Sequence, residues 1–249
     1  MRVLFLVFSI LIAANSFGQN SAKAGEWFRY RIHYGLLNAG YAELELFQEN
    51  SDEFHVVGTG KTTGMVGVFF KVKDRYESYF SANTQEPKKF IRRVNEGGYI
   101  INRDVYFEEG YAITHDHKKN TIDSVAVEQV YDMLSAFYKL RETNFDGLEN
   151  GETINLSLFF DREIYPFQMK LLDREIISTK FGKIKTLKFR PLVQSGRVFK
   201  EQESLTIWVT DDSNKIPVRI KADLAVGSLK ADLNSYKGLS HPFNIFVSN

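Results

Sequence analysis

The sequence predicts an all-β, mostly antiparallel fold: a curled sheet or β-barrel-like structure with one amphipathic helix packed on it. Three observations lead to this prediction. Apolar and polar residues alternate along most of the chain, short turns separate the alternating segments, and one segment near mid-chain has helical periodicity. Short turns join antiparallel neighbours and leave no room for crossover helices. An open sheet with so many strands is expected to curl or close.

The first alternating segment illustrates the strand pattern. Phe28, Tyr30 and Ile32 fall on one face, and Arg29 and Arg31 fall on the other. This arrangement is typical of a strand with one buried face. Comparable alternation recurs, in chain order, at Ala42/Leu44/Leu46, Phe54/Val56, Tyr76/Ser78/Phe80, Tyr99/Ile101/Arg103/Val105/Phe107, Ile154/Leu156/Leu158/Phe160, Leu187/Phe189, Leu205/Ile207/Val209, Ile216/Val218/Ile220 and Leu229/Ala231/Leu233.

One segment departs from the alternation and predicts a helix near mid-chain. A helical stripe runs through Val127, Val130, Tyr131, Leu134, Phe137, Tyr138 and Arg141. Alternatively, Asp132 is the N-cap of a shorter helix from Met133 to about Leu140. In both cases one amphipathic helix is expected to cover a side or an end of the sheet.

The first eighteen residues predict a secretory signal peptide. Arg2 is followed by an apolar run from Val3 to Ala14, and the small residues Ser16 and Gly18 occupy the positions that a signal peptidase inspects. The run reaches only about 18 Å as a helix, less than the roughly 30 Å of a bilayer core. Cleavage is therefore expected between Gly18 and Gln19. The remainder, 19–249, is predicted to be a single β-rich domain in the periplasm or secreted.

Composition narrows the possible partners. Basic and acidic residues number 32 and 31, so the chain lacks the basic excess used in nucleic-acid binding. It also lacks the polybasic segment that adheres to anionic lipid, and no second run is long enough to span a membrane. There is no cysteine, which excludes disulfides, a thiol nucleophile and cysteine-ligated zinc. An exported chain without cysteine favours the periplasm of a Gram-negative bacterium.

A glycine-rich segment partly resembles a phosphate-binding loop. Gly58-Thr59-Gly60-Lys61-Thr62 matches the end of that pattern, but His55 stands where its first glycine is required. The segment also lies in a strand-rich region rather than between a strand and a helix. We therefore expect no nucleotide ligand, and nothing in the sequence indicates a cofactor.

Two polar segments have some features of metal sites. His115 and His117 have a spacing that metal sites use, but no third ligand can be assigned, so a polar hairpin end is the preferred interpretation. The run 211–214 lacks the glycine and the distal glutamate of a calcium loop and is interpreted as a turn. No metal is expected.

The apolar segment from Gly64 to Phe70 has two interpretations. It is either a buried short helix or turn that fills the core, or a mobile apolar lid at the mouth of a cavity. Under the second interpretation, the predicted ligand-binding residues are Met65, Val68, Phe69, Phe70, Tyr131 and Tyr138.

Three parts of the chain together resemble a bacterial exported family known as domain of unknown function 3108. They are residues 25–40 beginning Gly25-Glu26-Trp27-Phe28-Arg29-Tyr30, residues 131–141 beginning Tyr131-Asp132-Met133-Leu134-Ser135, and residues 207–233 containing Ile207-Trp208-Val209-Thr210-Asp211-Asp212 and Gly227-Ser228-Leu229-Lys230-Ala231. The resemblance implies a periplasmic, strand-rich protein. It implies no activity and no catalytic residues.

Three functional hypotheses remain open from the sequence. The leading one is a non-catalytic binding module for a lipid-like, apolar or amphiphilic component of the cell envelope, because barrels of moderate size can hold ligands. The second is a structural or partner-binding envelope protein. The third is a carboxylate-based hydrolase of glycans, for which Asp161 and Glu163 are examples of available carboxylates.

Overall fold

The alternating segments form strands of one antiparallel sheet in the computed structural model, which describes residues 21–192 and 205–245. The predicted signal peptide and its cleavage site, Gly18 and Gln19, lie outside the described residues. The fourteen strands are β1 (Trp27–Tyr34), β2 (Leu37–Asn50), β3 (Glu53–Thr62), β4 (Lys73–Ser81), β5 (Pro87–Glu96), β6 (Tyr99–Glu108), β7 (Tyr111–Asp116), β8 (Thr121–Ala126), β9 (Thr153–Phe160), β10 (Glu163–Thr179), β11 (Gly182–Leu192), β12 (Leu205–Thr210), β13 (Pro217–Asp223) and β14 (Ser228–Lys237). The two helices are α1 (Gly64–Phe69) and α2 (Met133–Glu142).

The sheet is a meander whose two halves meet at the first and last strands. Its order is β8-β7-β6-β5-β4-β3-β2-β1-β14-β13-β12-β11-β10-β9. Apart from the β1–β14 pair, every pair of neighbours is also consecutive in the sequence. The outermost strands, β8 and β9, are joined by the segment that contains α2. The helix therefore lies where the chain passes from one edge of the sheet to the other.

The sheet curls, as the sequence predicts. Six of its ladders contain a register shift, and such bulges bend a strand and increase its twist. The curl brings the end of β9 back towards the opposite half. Tyr131 forms a parallel bridge to Leu158, and the ring of Phe159 packs in a core cluster with Phe90 and Val105. Core side chains therefore join β9 to β5 and β6, and the bridge joins β9 to the connection between β8 and α2.

An ion-pair cluster reinforces this closure at the turn between β9 and β10. Asp161 accepts hydrogen bonds from Arg92 at 2.5 Å and from Arg103 at 2.8 Å. Arg162 donates to Asp116 on β7 at 3.1 Å. We call these five residues the edge clamp. Because its members come from β5, β6, β7 and the β9–β10 turn, it ties the two edges of the sheet together.

The structure selects the shorter of the two predicted mid-chain helices. Asp132 is the N-cap, and its carboxylate accepts the backbone N–H groups of Leu134 and Ser135. The hydroxyl of Ser135 in turn accepts the N–H of Asp132, which completes a capping box. Val127 and Val130 precede the helix, so the prediction of a longer helix that includes them is wrong. Capping determines the start of the helix more strongly than the extended periodicity does.

The structure adds a second helix, α1, in the segment with two predicted interpretations. The segment is a short helix, but it is not buried. The exposed fractions are 70% for Met65, 81% for Val68, 84% for Phe69 and 51% for Phe70. The interpretation that this segment fills the core is therefore wrong for these four side chains. Neither α1 nor α2 is long and apolar enough to cross a membrane, as judged over the described ranges.

Candidate functional site

A cavity of about 510 Å³ lies between α2 and the concave face of the curled sheet. Its wall includes side chains from both halves of the sheet, because the curl places β2–β4 opposite β9–β13. Apolar side chains that line it include Leu44, Tyr76, Leu134, Phe137, Leu140, Phe145, Leu158, Phe167, Met169, Ile207, Val209 and Ile220. The composition of this wall suits an apolar ligand.

Two glycines on β3 leave space in the cavity. Gly58 and Gly60 fall on the inner face of the strand, the face that carries the buried Phe54 and Val56. A Cβ atom added at Gly60 would have the Cβ of Asp74, at 3.9 Å, as its nearest neighbour. A larger residue there would extend into the cavity. The segment interpreted as a partial phosphate-binding loop is thus a strand whose small residues form the cavity wall.

The first turn of α2 is anchored through a buried carboxylate. Asp132 is fully buried, and the hydroxyl of Ser78 on β4 donates to its second oxygen at 2.6 Å. Burial raises the pKa of Asp132 to about 6, although the hydrogen bonds from Ser78, Ser135 and Leu134 oppose the shift. The contact fixes the N-terminal end of the helix against the sheet and thereby fixes one end of the cavity.

The last turn of α2 is anchored by a buried ion pair. Arg141 contacts Glu26 through two hydrogen bonds of 2.5 and 2.8 Å, and both side chains are buried. The guanidinium also donates to the carbonyls of Asn214 and Ser21. Burial raises the pKa of Glu26, while its bonds with Arg141 act in the opposite direction. Arg141 lines the cavity, but its donors are largely occupied by these partners.

Lys215 is the other basic side chain in the cavity wall and, unlike Arg141, it is not held by a carboxylate of the described residues. It lies in the turn between β12 and β13, is half-buried, and has its ammonium 5.4 Å from the ring centre of Phe145. Burial lowers its pKa below the ordinary value, although Glu142 and Asp146 act in the opposite direction. Among the described residues it has no ion-pair partner. It is thus available to an anionic group of a ligand.

The six predicted ligand-binding residues lie outside the lining of this cavity. Met65, Val68, Phe69 and Phe70 are exposed on and beside α1. Tyr131 and Tyr138 are both 2% exposed. The first lies at the bridge to β9, and the ring of the second stacks on Phe80. Their role in ligand binding stays a prediction.

Other polar residues singled out in the sequence have structural partners. The ring of His115 packs edge-on against that of Tyr106, and His117 contacts Asp104 at 3.3 Å. Asp116, between the two histidines, is held by Arg103 and Arg162. Asp161 is likewise occupied by its two arginines in the edge clamp. This occupation leaves Asp161 poorly suited to act as a free acid or base in glycan hydrolysis.

Comparison with known proteins places this fold in a family. The family described as protein of unknown function (DUF3108) matches residues 29–234. The chain belongs to the DUF3108 family. The sequence-based resemblance is therefore confirmed. No curated protein matches this DUF3108 member.

Solved structures resemble this DUF3108 protein at low sequence identity. A β-barrel-like protein of the DUF1849 domain from Brucella abortus has a TM-score of 0.56 at 10% identity, covering 85% of this chain and 96% of that one. The hypothetical protein CT021 from Chlamydia trachomatis has a TM-score of 0.42 at 9% identity, covering 93% and 96%. A protein from Bacteroides fragilis with a YmcC-like fold, inferred to be exported, has a TM-score of 0.33 at 10% identity, covering 87% and 97%. The first of these supports the β-barrel-like fold and nothing beyond the fold.

Sequence reasoning missed most of the cavity wall. Met169, Ile207 and Lys215 come from distant parts of the chain and meet only because the sheet curls. One local signal was available: paired glycines within a strand often mark a place where a ligand or another group approaches closely. Gly58 and Gly60 carry that signal.

Proposed function

We propose that this protein is a non-catalytic, exported binding module for an amphiphilic molecule of the cell envelope. The apolar part of the ligand occupies the cavity between α2 and the sheet. The observation that carries this proposal is the cavity itself, an apolar space of about 510 Å³ with walls from both halves of the sheet. Ligand sites typically measure about 300–1,000 Å³ and are lined mainly by apolar side chains with a few polar groups.

Lys215 is the group best placed to contact an anionic head group. Arg141 is already paired with Glu26, and removing Arg141 from that pair would leave a buried carboxylate without its partner. Lys215 forms no ion pair with any residue in the described part of the chain. Its half-buried position strengthens its electrostatic attraction to an anion. The proposed ligand class is therefore a long-chain carboxylate or a similar anionic amphiphile.

Export is part of the proposal because the ligand is a component of the envelope. Its support is the N-terminal pattern of Arg2, an apolar run and the small residues Ser16 and Gly18. The mature protein would begin at Gln19 and act in the periplasm or outside the cell.

A fluorescent fatty acid, titrated into the mature protein, tests the proposal. We expect saturable binding of one probe molecule per protein. Gly60→Leu should weaken it strongly, because the added side chain would extend into the cavity and occupy part of its volume. The denaturation midpoint should stay the same or rise, since glycine weakens a strand. Val57→Leu adds bulk to the outer face of the same strand and should leave binding unchanged.

A second variant tests the head-group contact. Lys215→Met should weaken binding of the carboxylate probe by about tenfold, the effect of losing one charge-assisted hydrogen bond, and should leave binding of the matching long-chain alcohol unchanged. No binding by the wild-type protein, or full binding by Gly60→Leu, would contradict the proposal.

A further inference from the structure

One end of the sheet carries a group of highly exposed apolar side chains. We call it the apolar rim: Leu36, Met65, Val68, Phe69, Tyr99 and Val226. Their exposed fractions lie between 62% for Tyr99 and 99% for Leu36. They lie in or directly beside four connections, namely the β1–β2 turn, α1, the β5–β6 turn, which Tyr99 follows as the first residue of β6, and the β13–β14 turn. Antiparallel pairing places all four connections at the same end of the sheet.

Contacts between the connections make the rim one surface. The hydroxyl of Tyr34 donates to the carbonyl of Val226 at 2.9 Å, which ties the β13–β14 turn to the β1–β2 turn. The amide of Asn38, at the start of β2, donates to the hydroxyl of Thr63 at 3.1 Å and ties that end of β2 to the residue before α1. The ring of Phe70, at the end of α1, packs against the β5–β6 turn. Contiguous exposed apolar surface of this kind marks an interaction site.

Three lysines flank α1 without acidic partners. Lys61 precedes the helix, and Lys71 and Lys73 follow it; all three are exposed. Lys61 is directly opposite Lys73 in the ladder between β3 and β4, with both side chains on the outer face. Like charges directly opposite destabilise a sheet, and in the described ranges none of the three forms an ion pair. An external anionic partner would offset this repulsion.

We propose that the apolar rim docks on the surface of a lipid bilayer that contains anionic lipid. The exposed rings and aliphatic side chains of α1 and its neighbouring turns enter the interfacial region, and Lys61, Lys71 and Lys73 contact lipid head groups. Apolar side chains combined with flanking basic residues are the pattern of interfacial binding. This inference is independent of ligand binding in the cavity, because the rim and the cavity have no lining residue in common.

The two sites are nevertheless close to each other. Gly60 and Asp74, which line the cavity, form the cross-strand pair next to Lys61 and Lys73. A bilayer bound at the rim would therefore lie against the end of the sheet that this part of the cavity approaches.

Vesicle flotation with the mature protein tests the docking surface. We expect the protein to float with vesicles of phosphatidylcholine and phosphatidylglycerol in equal parts, and much less with phosphatidylcholine alone. Lys61→Gln combined with Lys73→Gln should reduce partitioning about 30-fold, from about 1 kcal/mol per lysine near the surface. Lys180→Gln combined with Lys183→Gln, at the opposite end of the sheet, should have no effect.

The apolar contribution is tested separately. Phe69→Ser should reduce partitioning about tenfold without changing the denaturation midpoint, because the ring is exposed in the free protein. Tyr111→Ser, an exposed aromatic residue at the opposite end, is the matched control and should leave partitioning unchanged. Absence of flotation in the wild type, equal losses in the control variants, or a rim-dependent dimer that does not bind vesicles would overturn the proposal.

Discussion

At the scale of single residues, Asp132 combines two effects that oppose each other. As an N-cap, it accepts two backbone N–H groups of α2, and an oxygen acceptor at this position typically contributes about 1 kcal/mol relative to alanine. As a buried carboxylate, it is costly to ionise. Its pKa of about 6 compares with an ordinary value of 3.8. The residue stabilises the helix through its oxygens and not through its charge.

The raised pKa of Asp132 predicts a pH dependence of stability. Between about pH 4 and pH 6 the folded state retains a proton that the unfolded state has released, so this residue's contribution to stability falls as pH rises through that window. Asp132→Asn keeps a capping oxygen and does not titrate. Its stability relative to the wild type should therefore increase, by on the order of 3 kcal/mol, between about pH 4 and pH 7.

Urea denaturation of both proteins at several pH values measures this difference. Asp52→Asn, in an exposed turn, is the control and should show no comparable trend. A constant difference between Asp132→Asn and the wild type across the range would show that the carboxyl titrates normally in the folded protein.

At the scale of secondary-structure elements, the edge clamp determines whether the sheet stays curled. Arg92 is buried and depends on Asp161, a residue of the tight β9–β10 turn with a positive φ of 49°. Asparagine tolerates that conformation, so Asp161→Asn removes the charge without straining the turn. The pair is only partly buried, with 38% of the Asp161 side chain exposed, which reduces the expected effect.

We expect Asp161→Asn to lower the free energy of unfolding by roughly 1–3 kcal/mol, because a buried guanidinium loses its charged partner. The control is Asp223→Asn, which breaks the exposed Lys221–Asp223 pair, at 2.8 Å, and should cost no more than about 0.5 kcal/mol. Chemical denaturation monitored by tryptophan fluorescence compares the two. Equal small losses would show that the clamp does not stabilise the closed sheet.

The strands that the sequence predicts are mainly those whose inner face is largely apolar. Strands such as β1 and β12 have apolar residues on their inner face, and the alternation in their sequences predicts them. Strand β5 was missed because the buried Arg92 interrupts its apolar face, and β7 was missed because its inward positions include Thr114 and Asp116. In β10 a register shift after Leu171 changes the phase of alternation within the strand. Of these interruptions, Arg92 and Asp116 belong to the edge clamp, and the register shift in β10 bends the sheet.

At the scale of the whole molecule, the fold class was predictable and the site was not. Alternation and short turns specify an antiparallel sheet, and strand number implies that it curls. They do not specify that β1 pairs with β14, which brings the two halves together and determines which side chains share the cavity. Likewise, a near-neutral composition does not predict that Lys61, Lys71 and Lys73 lie close together. Their proximity depends on the pairing of β3 with β4.

The cavity between α2 and the sheet is proposed to hold the apolar part of an amphiphile. Nuclear Overhauser effects between a ¹³C-labelled long-chain fatty acid and methyl groups of the protein from Gln19 onward distinguish this site from the exposed surface. We expect contacts from the acyl chain to the methyl groups of Leu134, Met169 and Ile207, which line the cavity from a helix and two strands. Contacts confined to exposed methyl groups such as those of Met65 and Val68, with none inside the cavity, would contradict it.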